Sequence, residues 1–79
     1  MERKEIEETV YRMMQTLSEE KSFKDLTPMT HLNEFLDSLD VVEAFMQIER
    51  IYNISIKDKD IVACRTIDDF INTVVSAIH

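Results

Sequence analysis

The 79-residue sequence has no glycine and no tryptophan, a single proline (Pro28) and a single cysteine (Cys64). Tight hairpins rely on positive-φ turn residues, usually glycine, so a multi-stranded hairpin fold is excluded. A glycine-rich phosphate cradle of the P-loop or dinucleotide type is excluded on the same ground. One cysteine forms no internal disulfide, and a reducing cytoplasm is the expected compartment. No apolar run approaches the ~20 residues of a membrane span. The charged start Met1-Glu2-Arg3-Lys4-Glu5 has no apolar stretch behind it, so it does not read as a signal peptide. What remains is an all-α class in one domain, residues 1–79.

Basic residues are also scarce: 9 Lys and Arg stand against 16 Asp and Glu, for a net charge of −7. Nucleic acid and anionic membrane surfaces both demand cationic side chains, so neither is expected as a partner. The deficit is concentrated. Residues 26–49 hold five acids (Glu34, Asp37, Asp40, Glu43, Glu49) and no Lys or Arg. Such a run is either a solvated helix face or a surface for a partner with a basic patch. The lack of any internal counter-charge favours the partner.

Hydrophobic residues make up 44% of the chain, enough for a globular core. A chain this short buries only about 60% of its unfolded surface, so that core is thin. Ile6, Val10, Met13, Met14 and Leu17 recur at helical spacing and predict a helix over about 3–18. Residues 18–36 lose the periodicity and read as a long ordered loop. Phe23, Leu26, Met29, Leu32, Phe35 and Leu36 are its expected pegs into the core. A second helix begins at Asp37-Ser38, where Asp37 is a good N-cap and Asp40 the capping-box acid, and it ends at Asn53. A connector follows, then a short helix or turn over 58–63. Thr66 with Asp69 opens a last helix carrying Ile67, Phe70, Ile71, Val74 and Ile78. Three main helices and one short one form the expected bundle.

The second helix carries two apolar stripes. Val41, Ala44, Phe45, Ile48, Ile51 and Tyr52 suffice to cover a core. Leu39, Val42 and Met46 form another stripe, flanked by Glu43, Gln47 and Glu49. Either both are buried, or the second is an exposed docking strip whose acids steer a basic partner.

The run Leu36-Asp37-Ser38-Leu39-Asp40-Val41-Val42-Glu43 resembles the phosphopantetheine attachment site of the acyl carrier proteins. The likeness extends along nearly the whole chain: helix, long loop, Asp-Ser-Leu, acidic helix, connector with Ile56, short helix, then Thr66-Ile67-Asp68-Asp69-Phe70 and a final helix. Phe35 stands where many members have glycine, three positions before the serine, and Lys57 where a proline often follows the connector isoleucine.

The resemblance implies that Ser38 bears 4′-phosphopantetheine, transferred from coenzyme A by a phosphopantetheinyl transferase. Acyl groups would ride on its thiol as thioesters to acyl-transfer and synthase enzymes of fatty acid or polyketide biosynthesis. The protein itself would be a monomeric, non-catalytic carrier. Asp37, Leu39, Asp40, Val42, Glu43, Met46 and Glu49 correspond by position to the family's recognition helix, to which Asp58 and Asp60 would add. Phe45, Ile48, Ile56, Ile61, Cys64 and Phe70 match positions that surround the acyl chain in related carriers, or are plain core. Because Asp37 and Asp40 flank Ser38, the modified arm is expected to stand outward. A carrier of aminoacyl groups and an unmodified helical adaptor are the alternatives. An enzyme using Ser38 and His31 lacks the Gly-x-Ser-x-Gly elbow. No metal site is expected, since Asp58 and Asp60 lack the EF-hand glycine.

Overall fold

The computed structural model describes residues 2–17 and 26–78. It contains α1 (Arg3–Leu17), a 3-10 turn (Leu32–Glu34), α2 (Ser38–Tyr52), α3 (Asp58–Ala63) and α4 (Ile67–Ile78). No strand occurs among the described residues; one isolated antiparallel bridge joins His31 to Thr66. The expected bundle of three main helices and one short helix is therefore present. The α4 helix packs against α1 and α3, and α1 against α2.

Each helix forms for a local reason and is kept by the face it buries. In α1, Ile6, Val10, Met13 and Met14 point into the core. Arg3 ties the start of α1 to α4: it pairs with Asp68 at 3.0 Å and donates to Asn72 Oδ1 at 2.7 Å. These groups are well exposed, so the pair orients more than it stabilises. In α2, Asp40 N–H donates to Asp37 Oδ1 at 2.8 Å and Asp37 N–H to Asp40 Oδ2 at 3.3 Å, a reciprocal capping box. Asn53 closes the helix in the left-handed region (φ 54°, ψ 52°), a position glycine usually takes and asparagine tolerates. The second box is also present. Asp69 N–H donates to Thr66 Oγ1, and Asp69 Oδ2 accepts from both Thr66 N–H and Arg65 N–H.

The core gathers Phe35, Phe45 and Phe70 with Ile6, Val10, Met14, Ile48, Ile67, Ile71 and Val74. The rings of Phe45 and Phe70 lie 4.2 Å apart at 32°. Of the expected loop pegs, Leu32, Phe35 and Leu36 are buried and Leu26 half-buried. Phe23 lies outside the described residues. Met29 is a correction: it is 71% exposed. It sits at the tip of a turn in which Thr30 N–H donates to Thr27 C=O and Thr27 N–H to Thr30 Oγ1, so its side chain is thrown outward. Ile51 is a second correction, at 56% exposed. It lies at the edge of the α2 core stripe, roughly 60° around the axis from Ile48, and on the side away from Val41 and Tyr52.

The hydrogen bonds on Asp69 set a pH dependence. Donation from the Arg65 and Thr66 N–H groups holds its carboxyl below the ordinary value of 3.8, with the nearby Arg65 charge assisting. A depressed folded pKa contributes stability above the ordinary value, and loses it as pH falls through the folded one. Asp69→Ala is expected to destabilise by about 1 kcal/mol at pH 7, or roughly 4–8 °C in Tm. The deficit should shrink at pH 3, as thermal melts at the two pH values will show.

Candidate functional site at the head of the second helix

The reciprocal Asp37–Asp40 bonds fix where α2 begins and therefore what Ser38 is: the first helical residue, exposed, on the leading turn. The box satisfies the Asp40 N–H, while the Ser38 and Leu39 N–H groups have no acceptor among the described residues. Ser38 thus combines an accessible hydroxyl with two free donors at the positive end of a 15-residue helix. That donor set suits a phosphodiester on the serine oxygen.

Below Ser38 the two stripes separate as one of the two sequence readings required. Ala44, Phe45 and Ile48 are buried, whereas Leu39 (78%), Val42 (48%) and Met46 (45%) are exposed. Glu43 borders the exposed strip and accepts from Gln47 Nε2 at 3.2 Å. Asp37 and Asp40 are near its upper end, each with one oxygen engaged in the box. Val62 on α3, 82% exposed, is a large apolar residue that the sequence reading did not single out. The only available signal was that a six-residue helix cannot bury both Ile61 and Val62.

Glu49 is engaged elsewhere. Its Oε2 accepts the Ile56 N–H at 2.8 Å, clamping the connector back onto α2. The sequence placed Glu49 in the recognition surface, and the structure adds a structural task. Phe45, Ile48, Ile56 and Phe70 belong to one core cluster, against which Ile61 and Cys64 pack half-buried. The Cys64 sulfur lies 3.2 Å from Thr73 Oγ1 and 3.3 Å from the Asp60 carbonyl. Burial pushes its thiol pKa up; the Thr73 bond opposes this in part, and Asp69 and Asp60 reinforce it. His31 donates its backbone N–H to Glu34 at 3.0 Å, and no hydrogen bond joins it to Ser38. Among the described residues, no three His, Cys, Asp or Glu side chains converge as a metal site. None of the described helices is long and apolar enough to cross a membrane.

Comparison with known proteins decides the family. The family model described as the phosphopantetheine attachment site matches residues 15–74. The chain belongs to the phosphopantetheine attachment site family. The matched segment runs from the end of α1 into α4 and includes Ser38 with its capping box. Among solved structures, an acyl carrier protein from Thermotoga maritima superposes with a TM-score of 0.74 at 21% identity. The superposition covers 92% of this chain and 91% of that one, so the fold is the acyl carrier fold. No curated protein sequence matches the chain. The family is defined by covalent attachment of 4′-phosphopantetheine, and the helix-start donors described above fit that group.

Removing the Glu49 clamp tests its structural task. Glu49→Ala should speed amide exchange at Ile56 and lower stability by about 1.5–3 kcal/mol in urea unfolding, the range for a hydrogen bond to a charged group. Glu49→Gln keeps an acceptor and should retain most of both.

Proposed function

We propose that this protein is a non-catalytic acyl carrier whose Ser38 Oγ is the point of phosphopantetheine attachment. The observation that carries the reading is the exposed hydroxyl at the first position of α2, inside the matched family segment. The bound group supplies a terminal thiol on which acyl groups are held as thioesters. The residues of the chain present, orient and recognise. Asp37 and Asp40 hold the turn that aims Ser38 into solvent, and the Ser38 and Leu39 N–H groups face the anion.

Leu39, Val42 and Met46 form the apolar anchor for partner enzymes, and methionine's flexibility suits more than one partner. Glu43, with the unengaged oxygens of Asp37 and Asp40, steers basic docking patches on a transferase or on acyl-transfer and synthase enzymes. Asp58 and Asp60 at the head of α3 extend the acidic surface, and both are exposed. Phe45, Ile48, Ile56, Ile61, Cys64 and Phe70 are the proposed shelter for the acyl chain. The pathway is fatty acid or polyketide synthesis, and a single half-buried thiol suits the reducing cytoplasm. An acyl cargo is preferred to an aminoacyl one on the acidic helix that follows Asp-Ser-Leu.

Incubation with coenzyme A and a broad-specificity phosphopantetheinyl transferase, followed by intact mass measurement, tests the attachment. One phosphopantetheine increment is expected, absent in Ser38→Ala. No increment with several transferases would leave the unmodified adaptor. The docking face has its own test. Glu43→Lys should raise the transferase's KM for the unmodified protein by up to about five-fold at low salt, the scale of one exposed charge contact. The difference should narrow near 1 M salt, where the Debye length falls to about 3 Å. A salt-independent effect, or none, would remove the electrostatic part of the recognition.

A further inference from the structure

Val62 on α3 is 82% exposed, and Arg50 and Lys59 are exposed cations; an all-acidic docking face accounts for none of the three. Their relation follows from how α3 is fixed. At one end the Ile56 N–H is held on Glu49 Oε2 at 2.8 Å. At the other, Cys64 shares a cleft with Val41. The short helix therefore runs back along the Val41–Phe45–Glu49 row of α2. The adjoining i, i+4 row is Val42–Met46–Arg50, and all three of its residues are exposed. Within α3, Ile61 and Cys64 pack against the core, so Lys59 and Val62 take the opposite, outward side.

By sequence, residues 49–60 are neutral: Arg50, Lys57 and Lys59 stand against Glu49, Asp58 and Asp60. The fold sorts these charges. Glu49 gives an oxygen to the Ile56 N–H, and Lys57 and Asp60 line a cleft toward Asn72 and Thr73 of α4. Arg50 and Lys59 are left facing outward with Asp58 as the remaining acid. Among the described residues no carboxylate lies within 4 Å of either cation. The helix dipole accounts for Arg50, in the last turn of α2. It does not account for Lys59, which lies in the first turn of α3, the end that disfavours a cation. By helix rise, Glu43 is ~10 Å and Asp40 ~15 Å from Arg50 along the axis. Both spans exceed the Debye length of ~8 Å at physiological salt, so the acidic head and the cationic tail do not cancel.

We propose that the docking face is two-signed: its partner enzymes present carboxylates opposite Arg50 and Lys59 as well as cations opposite Asp37, Asp40 and Glu43. Leu39, Val42, Met46 and Val62 form the apolar ridge between the two ends. The inference deepens the docking reading of this strip and rests on it. A partner lined with cations throughout gains at the head and is repelled at the tail. A partner turned end for end meets like charges at both, so docking is one-way and Ser38 always arrives at the same end of the partner's site. A second copy of the chain is a poorer occupant of the tail, because each copy carries −7 and a head-to-tail contact does not close. An anionic membrane is poorer still, since Asp37, Asp40 and Glu43 lie on the same face.

The test titrates three synthetic amphipathic helical peptides into the unmodified ¹⁵N-labelled protein at low salt. All share one leucine face; one is lysine-rich throughout, one glutamate-rich throughout, and one carries lysines at one end and glutamates at the other. The two-signed peptide is expected to bind tightest and to shift the amides of Leu39, Met46, Arg50, Lys59 and Val62. Arg50→Glu and Lys59→Glu should each weaken it by up to about five-fold and strengthen the lysine-rich peptide by a similar factor, the scale of one exposed charge contact. Circular dichroism should report unchanged helix content, and Lys59→Glu keeps the test open should Arg50→Glu disturb the end of α2. Tightest binding by the lysine-rich peptide, or a ranking that neither variant moves, would overturn the two-signed face and leave acid-led docking standing. No shift along the strip with any peptide would overturn both. Self-association in sedimentation, or binding to phosphatidylglycerol vesicles, that is lost in Arg50→Glu would assign the tail to another occupant and overturn the proposal. Because the protein is unmodified, these outcomes are independent of the mass increment that tests Ser38.

Discussion

Two hydrogen bonds between Asp37 and Asp40 decide what the rest of the molecule can do. They close the first turn of α2 on itself and so determine which residue is first in the helix. One residue later, and the Ser38 side chain would turn by ~100° about the axis, toward a different neighbour. The same bonds bring two carboxylates to the positive end of the helix dipole and partly neutralise them there. A serine flanked by two acids would otherwise be a poor place to hold a phosphodiester. The box therefore sets position and electrostatics together, and the exposed Leu39–Val42–Met46 strip inherits its register from the same start.

A chain without glycine must make its breaks by other means. It uses Asn53 in the left-handed region at the end of α2 and side-chain capping at the starts of α2 and α4. It also uses backbone bonds between segments distant in sequence. Pro28, Thr30 and Arg65 offer carbonyls to Asp68, Ile67 and Leu32, and this stitches the long loop to the start of α4. Leu32, Phe35 and Leu36 then enter the core from a segment with no regular periodicity. The loop is ordered by what it is tied to, not by its own conformational preference.

That distinction explains what could be read from the residues. The limits of α2 and the Thr66–Asp69 start of α4 follow from caps and spacing, which are local. The separation of the Leu39 strip from the Phe45 face does not, because helical periodicity left two readings and burial chose between them. The 3-10 turn, the outward Met29 and the exposed Ile51 depend on which neighbour covers which position, and no local pattern encodes that. The Glu49–Ile56 bond and the Leu32–Arg65 and Thr30–Ile67 bonds are hidden for a further reason. Each has a backbone group at one end or both, which every residue has, so the sequence does not mark the partner. An acid in an acidic helix reads as surface whether it meets solvent or clamps a connector.

Cys64 and Val41 stand at the edge of the core proposed to shelter the acyl chain. Both line one cleft, and both pack against the core cluster containing Phe45, Ile48, Ile56 and Phe70. Parting an aromatic pair forfeits about 0.5–1.5 kcal/mol beyond area burial. Each methylene taken from water returns roughly 0.8 kcal/mol. A short acyl group therefore gains too little to open the core against packing and lost order, whereas a longer one offsets the opening progressively. In the proposed shelter this balance would favour a longer chain over a short one.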